Sequence, residues 1–307
     1  MGDTSEAVVE TAECPNCGRQ FVGDYCPSCG QEADPSVSAT GVAGGFVRGL
    51  VDVENGLWAT FVGLTLRPGK TLQQYLSGVR KGLVSPGRYL LAAVVAAVGA
   101  DQLSRWAGAN PTPVNDLDVQ TAGGKREAFE ASAAYLGSAV ERFPILWFLL
   151  IAVPLALSLW TLFSGRFGRE AEALAVGSFL TGHTTFLAAG TDLVLAGAGY
   201  LSGLPSVDLP FGAAVALVTG YAGVACWRCF GPGWKPAVKG AFGGAWAWVE
   251  VFAIGFFTIV GTTFWLLSAY PGAYYISGHA SMYSTLGGAF SVPLLLHAGL
   301  EAYYRLR

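Results

Sequence analysis

Four of the six cysteines fall into two matched knuckles, Cys14-Pro15-Asn16-Cys17-Gly18 and Cys26-Pro27-Ser28-Cys29-Gly30, with eight residues between them. A Cys-x-x-Cys turn delivers two thiolates to one ion at about 2.3 Å, and two such turns complete a closed tetrahedral shell. The prolines stiffen the turns, and the glycine after each second cysteine permits a left-handed backbone that turns amides toward sulfur. The spacing predicts one structural zinc ion; iron in a rubredoxin-like site is the alternative metal, and disulfides are the alternative without metal. A closed shell leaves no position for a reacting water, so the expected role is structural. Phe21 and Tyr25 are the expected apolar cover. Residues up to Pro35 hold seven acids (Asp3, Glu6, Glu10, Glu13, Asp24, Glu32 and Asp34) against Arg19 alone. Phosphate attraction is missing there, so no nucleic-acid partner is expected and the head is expected to contact protein.

A second set of chemistry-bearing residues lies inside apolar stretches. His183, Asp192, Glu250 and His297 are ionisable groups that hydrocarbon penalises, and each is a candidate for a functional site. Two imidazoles and a carboxylate could hold a second metal, and two histidines a haem. Asp192, with Thr181, Thr184, Thr185 and Thr191, gives one stretch a polar side, so a proton or cation path through Asp192, His183 and Glu250 is a further reading. Separate interior residues joined by ordinary hydrogen bonds are the plainer one. Cys226-Trp227-Arg228-Cys229 repeats the Cys-x-x-Cys spacing without a thioredoxin context and reads as buried structural cysteines; Arg228 beside them is what a reactive thiol would need. Gly220, Gly223, Gly240 and Gly244 read as close helix contacts. No Walker, nucleophile-elbow or H-E-x-x-H pattern occurs, so no catalytic residue is assigned.

The elements that must carry these residues follow from composition. Hydrophobic residues make up 52% of the chain and charged residues 13%, with a mean hydropathy of +0.46, whereas soluble domains carry about 25% charge. The net charge is only -3, and 42 of 307 residues are glycine, a level suited to close helix approach in a bilayer. Runs near the roughly 20 residues that cross hydrocarbon centre on Tyr89–Leu103, Phe143–Phe163, Leu174–Tyr200, Phe211–Phe230, Trp246–Leu267 and Ser281–Leu300. The first is the weakest, carrying Asp101 near its end, and is alternatively re-entrant. The expected fold is an all-α integral membrane bundle of about six transmembrane helices, with a small N-terminal zinc ribbon and juxtamembrane amphipathic helices.

Three regions are expected: a cytoplasmic ribbon over 1–35, interfacial helices over 36–86, and the bundle over 87–307, with an outer polar insert at about 105–142. The first fifteen residues are acidic and carry no apolar run, so no secretion signal is expected and the N-terminus stays inside. Basic residues support that side: Arg67, Lys70, Arg80, Lys81, Arg228, Lys235, Lys239, Arg305 and Arg307 fall inside, leaving Arg105, Lys125, Arg126 and Arg142 outside. Phe46, Val47, Leu50, Leu57, Trp58 and Phe61 recur near helical spacing, which predicts a helix on the membrane surface. Arg67-Pro68-Gly69 breaks it, and Thr71 with Gln74 forms a capping box for a second helix through Leu83. Arg80, Lys81 and Arg88 are candidate contacts for anionic headgroups, worth about 1 kcal/mol each.

The order of these elements resembles an uncharacterised bacterial family known as domain of unknown function 3667. The resemblance rests on the knuckle pair ending in Cys29-Gly30-Gln31, then Arg67-Pro68-Gly69, Tyr75-Leu76, Gly78, Arg80 and Pro86, and a helix opening at Glu172 that reaches His183. Where relatives carry a histidine after that glutamate this chain has Ala173, so no metal role is implied at that position. The family implies a bacterial cytoplasmic membrane but no activity. The leading expectation is therefore a non-catalytic accessory, assembly or structural subunit among other membrane proteins in a lipid bilayer. A small-solute or ion transporter is the alternative, and a metal or haem redox protein the lesser one.

Overall fold

The computed structural model describes residues 11–31, 33, 56–106, 132, 133, 136, 144–202, 211–231 and 233–269. Two short strands, β1 (Ala12–Glu13) and β2 (Gln20–Phe21), pair antiparallel with Ala12 opposite Phe21. Seven helices follow among the described residues: α1 (Gly56–Leu66), α2 (Pro68–Leu76), α3 (Pro86–Trp106), α4 (Pro144–Leu162), α5 (Glu170–Ser202), α6 (Phe211–Phe230) and α7 (Trp234–Ala269). Proline opens α2, α3 and α4, where its missing N–H costs nothing. Glu170 and Glu172 begin α5, and Glu172 Oε2 accepts from the Gly168 amide at 2.9 Å, which favours the positive end of the helix.

The expectation of about six spans is not met. Among the described residues, two helical segments are long and apolar enough to cross a membrane, Gly212–Phe230 in α6 and Trp234–Thr263 in α7. The physical reasons differ along the chain. Helix α3 forms but carries Arg88, Asp101 and Arg105. Helix α5 is long but carries Thr181, His183, Thr184, Thr185, Thr191 and Asp192 within its apolar run. Helix α4 is apolar over its 19 residues but carries Pro154 inside it. The run Ser281–Leu300, His297 and most of the insert at 105–142 lie outside the described residues. On α7, Phe252, Phe256 and Phe257 are each 56% exposed, an apolar face that water would disfavour and lipid would cover.

Helix α3 packs along α5, α6 along α7, α4 bridges α5 and α7, and α2 lies across α6. The main core draws Leu64 from α1, Leu72 and Tyr75 from α2, Tyr89 from α3, Leu155 from α4 and Phe179 from α5. Helix α1 thus sends Thr60 and Leu64 inward, leaving Trp58 outside at 72% exposure. Its expected upstream partners Phe46, Val47 and Leu50 lie outside the described residues. The expected capping box at Thr71 does not form. Helix α2 begins three residues earlier with Arg67 as its N-cap and ends at Leu76, and Thr71 Oγ1 donates to the Arg67 carbonyl at 3.1 Å. Proline at the first helical position set the start that Thr71 was read to set.

Small residues allow α6 and α7 to touch. Gly223 faces Ala237 and Ala241, Gly240 faces Ala222 and Cys226, and Gly244 faces Val218 and Thr219, whereas nothing lies near Gly220. In Gly240→Ala the new methyl would sit 2.5 Å from the Ala222 carbonyl oxygen and 2.8 Å from Cys226 Sγ. A backbone oxygen cannot swing aside, so this substitution should cost about 1–3 kcal/mol. Thermal unfolding in detergent should show a lower Tm, and an unchanged Tm would contradict this packing.

Candidate metal centre and its platform

The two knuckles are built alike. The Cys14 amide donates to the Arg19 carbonyl at 2.9 Å and the Cys26 amide to the Gln31 carbonyl at 2.7 Å. The Gly18 and Gly30 amides donate back to the Cys14 and Cys26 carbonyls at 2.8 and 2.7 Å. Gly18 and Gly30 hold φ of 73° and 70°, in the left-handed region where a side chain is disfavoured. All four sulfurs lie within 4.8 Å of one another, with Cys14–Cys29 at 3.4 Å and Cys17–Cys26 at 3.6 Å. A tetrahedron with metal–sulfur bonds of about 2.3 Å has an edge of about 3.8 Å. The four cysteines could therefore hold a metal ion such as zinc, and all four are free thiols rather than disulfides. Phe21 covers the cluster at 6% exposure; Tyr25 does not, standing 64% exposed.

Packing four thiols together spreads their acidities. Hydrogen bonds from the Asn16 side chain and the Gln31 backbone lower the Cys29 pKa to about 6. For Cys17 the Arg19 backbone amide favours the thiolate, yet desolvation and the thiols of Cys14, Cys26 and Cys29 together push it up to about 12. A cation at the centre would replace those protons and supply the missing counter-charge.

The ribbon rests on the helices through Gln31. That side chain is 4% exposed, and its Oε1 accepts from the backbone amides of Arg80 and Lys81, each at 3.2 Å. Lys81 Nζ donates to the Cys29 carbonyl, and the Arg80 guanidinium lies 5.0 Å from the centroid of the Tyr75 ring. Two of the three candidate headgroup contacts therefore face protein, one through its ammonium and one through its guanidinium; Arg88 is half-buried at the start of α3. Next to this turn, Gly69 abuts the Arg228 backbone and Gln73 Nε2 donates to the Cys229 carbonyl, so α2 caps the end of α6.

Beneath the turn lies His183, which is fully buried. Its Nδ1 is 2.8 Å from Tyr89 Oη, its Nε2 is 3.4 Å from Thr65 Oγ1, and its ring lies 4.8 Å from that of Tyr221. Tyr221 Oη in turn donates to the Leu64 carbonyl at 2.9 Å. Both ring nitrogens thus meet hydroxyls, and one imidazole ties α1, α3, α5 and α6 together. This arrangement gives no support to a haem at His183. Asp192 borders a separate cavity between helices that His183 does not line, and Glu250 is buried on α7 at 1% exposure. Among the described residues, the four cysteines form the group of three or more metal-binding side chains that comes together. Cys226 and Cys229 are buried free thiols, Cys226 packed against Gly240. The partners of His183 were not readable from the sequence, since Tyr89 is 94 residues away along the chain.

Residues 54–98 match the family described as "Protein of unknown function (DUF3667)". That span bears out the resemblance carried by Arg67-Pro68-Gly69, Tyr75-Leu76, Gly78, Arg80 and Pro86; the knuckles and the Glu172 helix lie outside it. It encloses α1, α2 and most of α3, the stretch that receives Gln31 above and His183 below. No curated protein and no solved structure matches the chain. Removing one ligand checks the metal centre: Cys17→Ser should bring bound metal well below one ion per chain by elemental analysis. Far-ultraviolet helicity should persist, because the helices satisfy their own hydrogen bonds. A full metal complement in the variant would contradict the four-sulfur site.

Proposed function

We propose that this chain is a multi-pass protein of the cytoplasmic membrane that serves as a non-catalytic accessory or assembly subunit, holding a zinc-loaded ribbon on its cytosolic face for a protein partner. One observation carries the reading: the ribbon is fixed to the helices and yet keeps apolar side chains exposed. Gln31 and Lys81 secure it, while Val22 and Tyr25 stand 59% and 64% exposed beside a buried Phe21. An isolated zinc knuckle needs neither a docked glutamine nor an exposed valine–tyrosine pair to fold, and aromatic side chains left at a surface are typical anchors for partners.

The side of the membrane is supported by charge. Arg80 and Lys81 under the ribbon share an end of the helical body with Arg228, through the bond from Gln73 to the Cys229 carbonyl. The short connection from α6 to α7 adds Lys235 and Lys239. Such a concentration of basic residues beside two apolar helices favours the cytosol, and Arg305 and Arg307 favour the same side for the C-terminus.

Purification in mild detergent should yield a complex with one partner in fixed stoichiometry. Tyr25→Ala should release that partner while keeping metal and helical content. A monodisperse particle holding only this chain, or a complex indifferent to Tyr25→Ala, would refute the proposal.

A further inference from the structure

A cleft of about 520 Å³ opens where the turn after α4, the end of α6 and the first turn of α7 meet. Its ionisable lining residues are Arg166, Lys235 and Lys239, and no acidic side chain lines it among the described residues. Part of this positive charge is held in place. Lys239 Nζ donates to the Leu162 carbonyl at 2.8 Å and lies 5.7 Å from the centroid of the Phe163 ring. That bond uses one of three ammonium donors and leaves two for a ligand. Phe163 stacks on Phe230 with ring centroids 4.5 Å apart, which gives the cleft an aromatic floor.

An apolar stripe starts at the same place. Trp234, Val238, Phe242, Val249 and Phe256 are each more than half exposed, and at 3.6 residues per turn they fall within about 80° of one another around α7. By the same geometry Lys235 and Lys239 border that stripe on one side. Cations and apolar surface thus meet at the first turns of a segment long and apolar enough to cross a membrane. A free phosphate would satisfy the cations and leave the stripe bare, whereas a zwitterionic lipid would cover the stripe but bring its own cation to the cleft. An anionic phospholipid meets both demands, its phosphate among the basic groups and an acyl chain along the stripe.

We propose that this cleft binds the headgroup phosphate of an anionic phospholipid, with Arg166, Lys235 and Lys239 as donors and the α7 stripe against an acyl chain. The inference rests on the membrane placement proposed above and on no protein partner. Native mass spectrometry of the full chain, released from detergent after titration with dioleoylphosphatidylglycerol, tests it, with dioleoylphosphatidylcholine and inorganic phosphate as comparison probes. Phosphatidylglycerol should be retained as a single adduct per chain at concentrations where neither comparison probe is. Arg166→Gln together with Lys235→Gln, both at exposed positions, should weaken that lipid by about tenfold or more. Arg105→Gln, at the end of α3, should leave it unchanged. Insertion of the wild-type chain into phosphatidylcholine nanodiscs reads the membrane placement separately. A chain that inserts yet retains both lipids equally, binds inorganic phosphate as tightly as the lipid, or keeps full retention in the double variant would overturn the lipid site alone; failure to insert would overturn the site and the membrane placement together.

Discussion

The hydrogen bond between Tyr89 and His183, 2.8 Å long and closed to solvent, is the constraint around which the helical body is arranged. A buried imidazole needs partners for its nitrogens, and here they come from helices far apart in the chain. Tyr89 fixes the first turn of α3 against α5, and the Tyr221 ring lies on the imidazole while its hydroxyl reaches the Leu64 carbonyl of α1. Phe61 and Phe186 close the sides, with Phe61 5.2 Å from the imidazole and 5.7 Å from Phe186 between ring centroids. Once α1 and α3 are set in this way, the connection from α2 to α3 has a defined position, and the amides of Arg80 and Lys81 face the ribbon.

That connection is where the ribbon and the helical body meet. Below it, hydrophobic burial and a few polar braces hold the helices; above it sits a ribbon too small to bury a sizeable core, whose four sulfurs could hold a metal ion such as zinc. Gln31 bridges them with a neutral amide oxygen shared between two backbone donors, a contact that sets geometry with little dependence on salt. Gln31 follows directly on the second knuckle, so the docking group is fixed by the metal turn itself. Residues 54–98, the span that matches a known family, are the ones that form this platform.

Much of this was legible in the residues. The knuckle spacing announced the sulfur cluster, because ligand spacing is a local property that tertiary packing does not alter. Cys226 and Cys229 were readable as interior, and Gly223, Gly240 and Gly244 as contact glycines, for the same local reason. Counting spans failed where apolar runs carried polar side chains: His183 of α5 bonds across to Tyr89, Thr184 and Thr185 bond carbonyls of their own helix, and hydropathy cannot separate an apolar run facing protein from one facing lipid. The bond from Lys81 to the Cys29 carbonyl could not be read in one dimension, because the two residues are 52 apart along the chain. Tyr25 was read as cover by adjacency to Cys26, but the hairpin turns Phe21 inward and leaves Tyr25 outside.

The central claim is that the four-cysteine ribbon is seated on the helical platform through Gln31. Hydrogen–deuterium exchange at the backbone amides of Arg80 and Lys81, followed in the zinc-loaded chain and again after chelation, addresses it directly. The account predicts slow exchange at both amides with metal present and fast exchange once it is removed, while amides in the middle of α5 stay protected in both states. Equally fast exchange at Arg80 and Lys81 with and without metal would contradict it.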